Sequence, residues 1–201
     1  MFVIGITGGS GSGKTSALRV LSSLGALALD CDEIYHQLLK ENAELKAGLE
    51  ARYGGVLVDG SIDRKRLGEI VFKDPDALKD LNAITHKYVS AEIERRIREW
   101  EAQGGTIAAI DAIALIESGR AKKCDITIGV TASKETRVQR IMKRDGITRE
   151  QAEMRVNAQK PDSYYKENCD YLLEDKYETL KAFEDECDAL FTELIKGEHN
   201  L

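Results

Sequence analysis

Proline is scarce in this sequence. Only Pro75 and Pro161 occur among 201 residues, so long irregular linkers are not expected. Cysteine is also sparse. Cys31, Cys124, Cys169 and Cys187 include no C-x-x-C pair, which leaves no zinc or dithiol redox signature. No apolar run approaches the length of a membrane span. No basic segment precedes the first apolar run and no cleavage site follows it, so the expectation is a cytoplasmic protein with reduced thiols and no membrane contact. Positive charge is not in excess either. The net charge of −6 argues against a general nucleic-acid binder. It leaves room for an anionic small molecule at a locally basic site.

What is present suits a packed domain. Apolar residues make up 42% and charged residues 32% of the chain, enough to build a core and too apolar for disorder. The length fits one globular unit, or a core with small insertions.

Phe2–Thr7 is a short apolar run closed by glycines, the pattern of a buried strand. A helix is expected from Lys14 to about Leu24, capped by Gly25. Ala26–Leu29 reads as a second strand, Thr106–Ile110 as a third, Ile126–Val130 as a fourth and Tyr171–Leu173 as a short last one. Between the second and third strands, Glu33–Glu101 reads as mostly helical, with a turn signal at Asp59-Gly60 and a helix start at Asp74-Pro75-Asp76. In the later part of that stretch Leu78, Leu81, Ile84, Val89, Ile93, Ile97 and Trp100 recur at roughly helical spacing. Lys134–Lys143 and Thr148–Ala158 are expected helices, separated by Arg144-Asp145-Gly146, where Gly146 could hinge. Tyr177–Lys196 is expected as an acidic amphipathic helix that packs Leu180, Phe183, Cys187, Leu190, Phe191 and Leu194 on the core. Strands alternating with helices predict an α/β fold with a parallel sheet. In such sheets the functional loops lie beyond the carboxyl ends of the strands.

The first such loop carries the clearest chemistry. Gly8-Gly9-Ser10-Gly11-Ser12-Gly13-Lys14-Thr15 satisfies G-x-x-x-x-G-K-[ST], after a strand and before a helix. Backbone amides there can converge on one phosphate chain, helped by the positive end of the following helix. Lys14 can reach the β- and γ-phosphates, and the Thr15 hydroxyl can ligate Mg²⁺. A glycine-rich turn with a chance lysine is the competing reading, and the strand-and-helix context weighs against it. No N-K-x-D guanine-reading segment accompanies the loop, and Leu21-Ser22-Ser23-Leu24-Gly25 only echoes the L-S-G-G-Q segment of transport ATPases. The motif by itself identifies a nucleotide site rather than a reaction, since GTPases, ATPase motors and small-molecule kinases all use it.

Asp30 and Asp32 follow the second strand. A kinase needs a carboxylate to orient the acceptor hydroxyl and take its proton. A helix N-cap is the equally weighted alternative for Asp32. Asp111 ends the third strand, where an acid often holds Mg²⁺ directly or through water. A solvated strand-end acid is the alternative. Arg137, Arg140 and Arg144 share one helix face. A charge run is usually a solvated face. Beside a phosphate loop, closure over the transferred phosphoryl group is the favoured reading.

These residues resemble the dephospho-CoA kinase family over nearly the whole chain, from residue 2 to about 175. The resemblance is carried by Gly5-Ile6-Thr7 running into the glycine loop, and by Asp30-Cys31-Asp32-Glu33-Ile34. Its most specific part is Asp59-Gly60-Ser61-Ile62-Asp63-Arg64 continuing through Leu67 to Val71-Phe72. Leu81-Asn82-Ala83-Ile84-Thr85-His86 looks like the run leading to the family's His-Pro. Arg140, Arg144, Gln159 and Lys166 fall at the spacing of its later motifs.

The resemblance implies ATP-dependent phosphorylation of the ribose 3′-hydroxyl of dephospho-CoA. It implies a five-stranded parallel core formed by 1–35, 104–133 and 166–201, a helical substrate domain at 36–103 and a lid at 134–165. Asp32 would be the catalytic base, with Lys14, Arg140 and Arg144 serving phosphoryl transfer. Gly8 to Thr15, with Ser16, would bind ATP and Mg²⁺. Arg64, His86 and Asp111 would join Asp32 on the substrate side, with a buried structural histidine as the alternative for His86. There are departures. The family's D-x-P-L-L-F-E becomes Asp111-Ala112-Ile113-Ala114-Leu115-Ile116-Glu117, and its His-Pro becomes His86-Lys87. Arg137 stands where the family has glutamine, and the late A-D…N segment becomes Cys169-Asp170…Asp175. They leave two further readings open: a P-loop kinase for another nucleoside or nucleotide, and a nucleotide-binding regulator without turnover.

Overall fold

The computed structural model describes residues 1–198. Its chain divides into two compact units, one of residues 1–29 with 100–201 and one of residues 30–99. The first is built on a five-stranded sheet of order β2-β5-β1-β6-β7. Its strands are β1 (Phe2–Thr7), β2 (Leu27–Asp30), β5 (Ile107–Asp111), β6 (Ile126–Ala132) and β7 (Tyr171–Asp175). β1 lies between β5 and β6, parallel to both, with Ile6 opposite Asp111 on one side and Ile128 on the other. β7 runs parallel to β6.

β1 is central because nearly all its side chains can be buried. Ile4, Ile6 and Thr7 are fully shielded from solvent, as expected of a parallel strand covered on both faces. The apolar stripes of α1 (Lys14–Ser23) and α9 (Leu180–Glu198) share one core with this sheet. Ala17 and Leu21 of α1 meet Phe183, Cys187 and Phe191 of α9 there. α9 begins at Leu180 rather than Tyr177, and Leu180 is half exposed. The expected core position at Leu180 is therefore wrong: the core contacts of the helix begin at Phe183.

α6 (Lys134–Asp145), α7 (Arg149–Asn157) and α8 (Asp162–Asn168) follow β6. Val138 and Ile141 of α6 pack on Ala152 and Val156 of α7 in a small core of their own. Gly146, read as a possible hinge, is the left-handed C-cap of α6 at φ 64°. Thr148 opens α7 with a reciprocal capping box to Gln151.

The second unit holds α2 (Cys31–Glu41), α3 (Ala43–Tyr53), α4 (Arg64–Val71) and most of α5 (Pro75–Ala102). The stretch read as mostly helical also contains a hairpin, β3 (Leu57–Val58) paired antiparallel with β4 (Ser61–Ile62). Asp59 and Gly60 both have positive φ, 49° and 76°, the conformation of a two-residue hairpin turn that suits Asp-Gly. The Glu50 carboxylate accepts the amides of Gly55 and Leu57 at 2.6 and 2.7 Å, and these bonds hold its pKa below the usual carboxylate value. Of the apolar row expected along α5, Ile93 is fully buried and Leu78 is exposed.

Candidate active site

The phosphate loop grows out of the carboxyl end of β1. Thr7 is fully buried, and its hydroxyl donates to the Ile113 carbonyl at 3.0 Å. That bond ties the end of β1 to the chain leaving β5. Gly8 then turns the backbone at φ 146°, where an added Cβ would stand 2.1 Å from the Val130 carbonyl oxygen. Only glycine passes so close to a neighbouring strand. The loop closes on itself through the Ser12 amide, which donates to the Gly9 carbonyl at 3.2 Å. Gly13, at φ 111°, is the N-cap of α1 and offers no side-chain cap.

The consequence is a set of inward donors. Among the described residues, the amides of Gly11, Gly13 and Thr15 donate to no protein group. α1 runs ten residues behind them, with its positive end at the loop. Lys14 is buried, and its ammonium donates to the Gly9 carbonyl at 3.3 Å. Ser12 is also buried, and its Oγ has no hydrogen-bond partner among the described residues. Ser16 is half-buried and accepts from Arg19 at 3.2 Å. Amides without protein acceptors, a lysine folded over them and an unpartnered hydroxyl are what a polyphosphate site requires.

Asp111 lies at the carboxyl end of β5, opposite Ile6, and is 6% exposed. The solvated-acid alternative is thereby excluded. Thr15 is exposed at the head of α1. Among the described residues no group of three or more histidine, cysteine or acidic side chains gathers to hold a metal. The donors on offer are a hydroxyl and a carboxylate, both hard oxygens. That set fits Mg²⁺, which keeps most of its shell as water and phosphate oxygen.

α6 reaches the loop from the side. Arg137 is buried, and its Nε donates to the Ser10 carbonyl at 3.1 Å. One turn on, Arg140 donates to the Gly11 carbonyl at 3.1 Å and pairs with Asp175 at 2.7 Å. Arg144, on the same face, pairs with the neighbouring Asp145 at 2.7 Å and is more than half exposed. The three arginines therefore do not act alike: two hold loop carbonyls, and the third holds an acid of its own helix.

Two further residues stand at the site that the sequence names without a role, Gln159 by motif spacing and Asp175 as a departure from the family's late segment. Gln159, just past α7, accepts the Ser10 amide and donates to the Ser10 hydroxyl, both at 2.9 Å. Asp175, the last residue of β7, is buried with its second oxygen unpartnered among the described residues. Asp175 had a readable signal, since it lies two residues past the short apolar run Tyr171–Leu173. Gln159 had only its spacing.

In the second unit, Asp30 rather than Asp32 is the N-cap of α2. Its Oδ1 accepts the amides of Asp32 and Glu33 at 2.8 and 3.1 Å. The capping alternative for Asp32 is therefore withdrawn, and Asp32 is exposed in the first helical turn. Arg64 is exposed at the start of α4. His86 is exposed on α5, which excludes the buried structural histidine.

Known proteins match this chain throughout. The family model for dephospho-CoA kinase matches residues 2–180. A dephospho-CoA kinase from Geobacter sulfurreducens is 40% identical over 163 residues, covering 80% of this chain and 83% of that one. A crystal structure of a Thermus thermophilus protein, 32% identical, superposes with TM-score 0.79 over 96% of this chain and 97% of its own. The dephospho-CoA kinase structure from Campylobacter jejuni, 27% identical, gives TM-score 0.71 over 98% of each chain. A model match over most of the length, on a sheet that presents a phosphate loop at its centre, means that this chain belongs to the dephospho-CoA kinase family.

Proposed function

We propose that this chain transfers the γ-phosphoryl group of ATP to the ribose 3′-hydroxyl of dephospho-CoA, giving CoA and ADP, the final step of coenzyme A synthesis. The observation that carries this reading is the phosphate loop: Gly11, Gly13 and Thr15 amides without protein acceptors, and Lys14 folded over them, in a chain of this family.

The acceptor hydroxyl attacks the γ-phosphorus in line, and the bond to the bridging oxygen of ADP breaks. Asp32 orients the hydroxyl and takes its proton, which then passes to solvent. Lys14 and the loop amides offset the charge that builds on the phosphoryl oxygens. Gly8 to Ser16 cradle the β- and γ-phosphates. Thr15 and Asp111 would hold Mg²⁺, which when bound neutralises phosphate charge and fixes the triphosphate's conformation. Arg64 and His86 seat the acceptor within the 36–103 region, and Asp111 is also assigned to acceptor binding. Segment 134–165 serves as the lid, with Arg140 and Arg144 at the phosphates. In this structure Arg140 is bonded to Gly11 and Asp175, so its work on the γ-phosphate requires a change of partner. The four cysteines form no disulfide, and no helix of the described residues is long and apolar enough to cross a membrane. We place the chain in the cytoplasm as part of the same proposal.

The test is ADP release with Mg·ATP and, in turn, dephospho-CoA, AMP, adenosine or no acceptor. Stimulation by dephospho-CoA alone is expected. Stimulation by AMP or adenosine instead would reassign the acceptor. ATP binding without any turnover would make the chain a nucleotide-binding regulator.

A further inference from the structure

Ser10 is the one residue of the phosphate loop whose every polar group is held from outside the loop. Its amide donates to Gln159 Oε1 at 2.9 Å, its hydroxyl accepts from Gln159 Nε2 at 2.9 Å, and its carbonyl accepts from Arg137 Nε at 3.1 Å. The two holding side chains are themselves joined, since Arg137 Nη2 donates to the same Gln159 Oε1. Arg137 is 5% exposed, which is uncommon for arginine unless its donors are used. Gly9 lies against this clasp. A Cβ there would sit 2.0 Å from Arg137 Nη2 and 2.7 Å from Gln159 Oε1.

Peptide geometry links these bonds to phosphate binding. A trans peptide points its carbonyl and its amide in opposite directions. The Ser10 carbonyl belongs to the same plane as the Gly11 amide, so an outward carbonyl means an inward N–H. The preceding plane is set the opposite way. The Ser10 amide faces outward to Gln159, and the Gly9 carbonyl faces Lys14 and the Ser12 amide. The clasp therefore fixes two successive planes in opposite senses, and the second aims an amide that has no acceptor among the described residues.

We propose that Arg137 and Gln159 are positioning residues for phosphoryl transfer: by holding Ser10 they lock the Gly11 amide toward the polyphosphate, without touching substrate themselves. This role differs from the closure over the phosphoryl group expected of Arg137 from its helix face, and it gives a task to Gln159, which the sequence marks only by motif spacing. The inference rests on the phosphate-loop reading above and adds to it the groups that preorganise the loop, so that no reorientation is needed when the triphosphate arrives.

The experiment compares the unmodified chain with Arg137→Met, Gln159→Ala and the double variant. Calorimetric titrations use ATP, inorganic tripolyphosphate and adenosine. Steady-state kinetics give KM for each substrate. ATP and tripolyphosphate should each bind roughly tenfold more weakly in the Arg137 variant, the weight of one charge-assisted hydrogen bond. Adenosine binding and the KM for dephospho-CoA should stay within about twofold, the scatter of independent sites. The double variant should bind little worse than Arg137→Met, because both groups act through Ser10. Unchanged tripolyphosphate affinity in both single variants overturns the proposal, as does an equal loss for adenosine. Should Arg137→Met fail to fold, Gln159→Ala decides alone, since its side chain is only half-buried. If the unmodified chain binds no tripolyphosphate, the phosphate-loop reading itself falls and takes this inference with it.

Discussion

Asp30 and Asp32 are the same side chain two positions apart, and they end with different tasks. Asp30 gives its oxygen to two amides at the head of α2. Asp32 lies beyond that bond and stays exposed. Since the cap belongs to Asp30, Asp32→Ala should leave α2 intact. We expect that variant to bind ATP within about twofold of the unmodified chain and to lose on the order of 10²–10⁴ in kcat, the usual worth of a positioned general base. Titration calorimetry and steady-state assays check the two halves. Turnover close to that of the unmodified chain would remove Asp32 as base. The sequence marked both acids, but only the structure separates them, because a cap is defined by which amide an oxygen meets. Residues 8–15 were legible because they are contiguous. Gln159 was marked by motif spacing, but its contact with Ser10 was not legible, since it spans 149 residues of sequence.

Among elements, those with a long apolar period were the readable ones. β1, β5 and β6 are buried runs bounded by glycine or polar residues, and each falls within two residues of its expected limits. The hairpin was hidden because two-residue strands carry no period, although its Asp59-Gly60 turn was visible. α8 was missed for a similar reason. Asp162–Asn168 buries only Tyr165, so no stripe recurs. α7 offers a test at this scale. It has nine residues, and the Thr148 hydroxyl accepts the Gln151 amide while Gln151 Oε1 accepts the Thr148 amide. Thr148→Ala should lower stability by about 1 kcal/mol in chemical denaturation, and Thr148→Ser by much less. Equal losses would mean that the box contributes nothing.

Over the whole molecule, net charge and site charge have opposite signs. The chain carries −6, yet Lys14, Arg137 and Arg140 converge on the loop that receives phosphate. Composition shows the first and cannot show the second, which depends on where α6 comes to rest. The core under that loop has a titratable reporter. Cys187 is fully buried between α1 and α9, and burial pushes its thiol from 9.0 up to about 12. Below pH 9 the thiol is protonated in both folded and unfolded chains, and stability is unaffected. Between pH 9 and about 12 only the unfolded chain ionises, so stability should fall across that window. At pH 8 a thiol reagent should leave Cys187 unmodified in the native protein and reach all four cysteines in denaturant. Modification of native Cys187 at the denatured rate would contradict the packing of α9.

The proposed reaction forms one bond, between the γ-phosphorus of ATP and the 3′-oxygen of the acceptor ribose. The most direct measurement is phosphorus–proton NMR of the product formed from dephospho-CoA and Mg·ATP. The expected spectrum shows a new phosphomonoester coupled to the ribose H3′. A phosphomonoester coupled to H2′, or a lengthened diphosphate chain, would contradict the account.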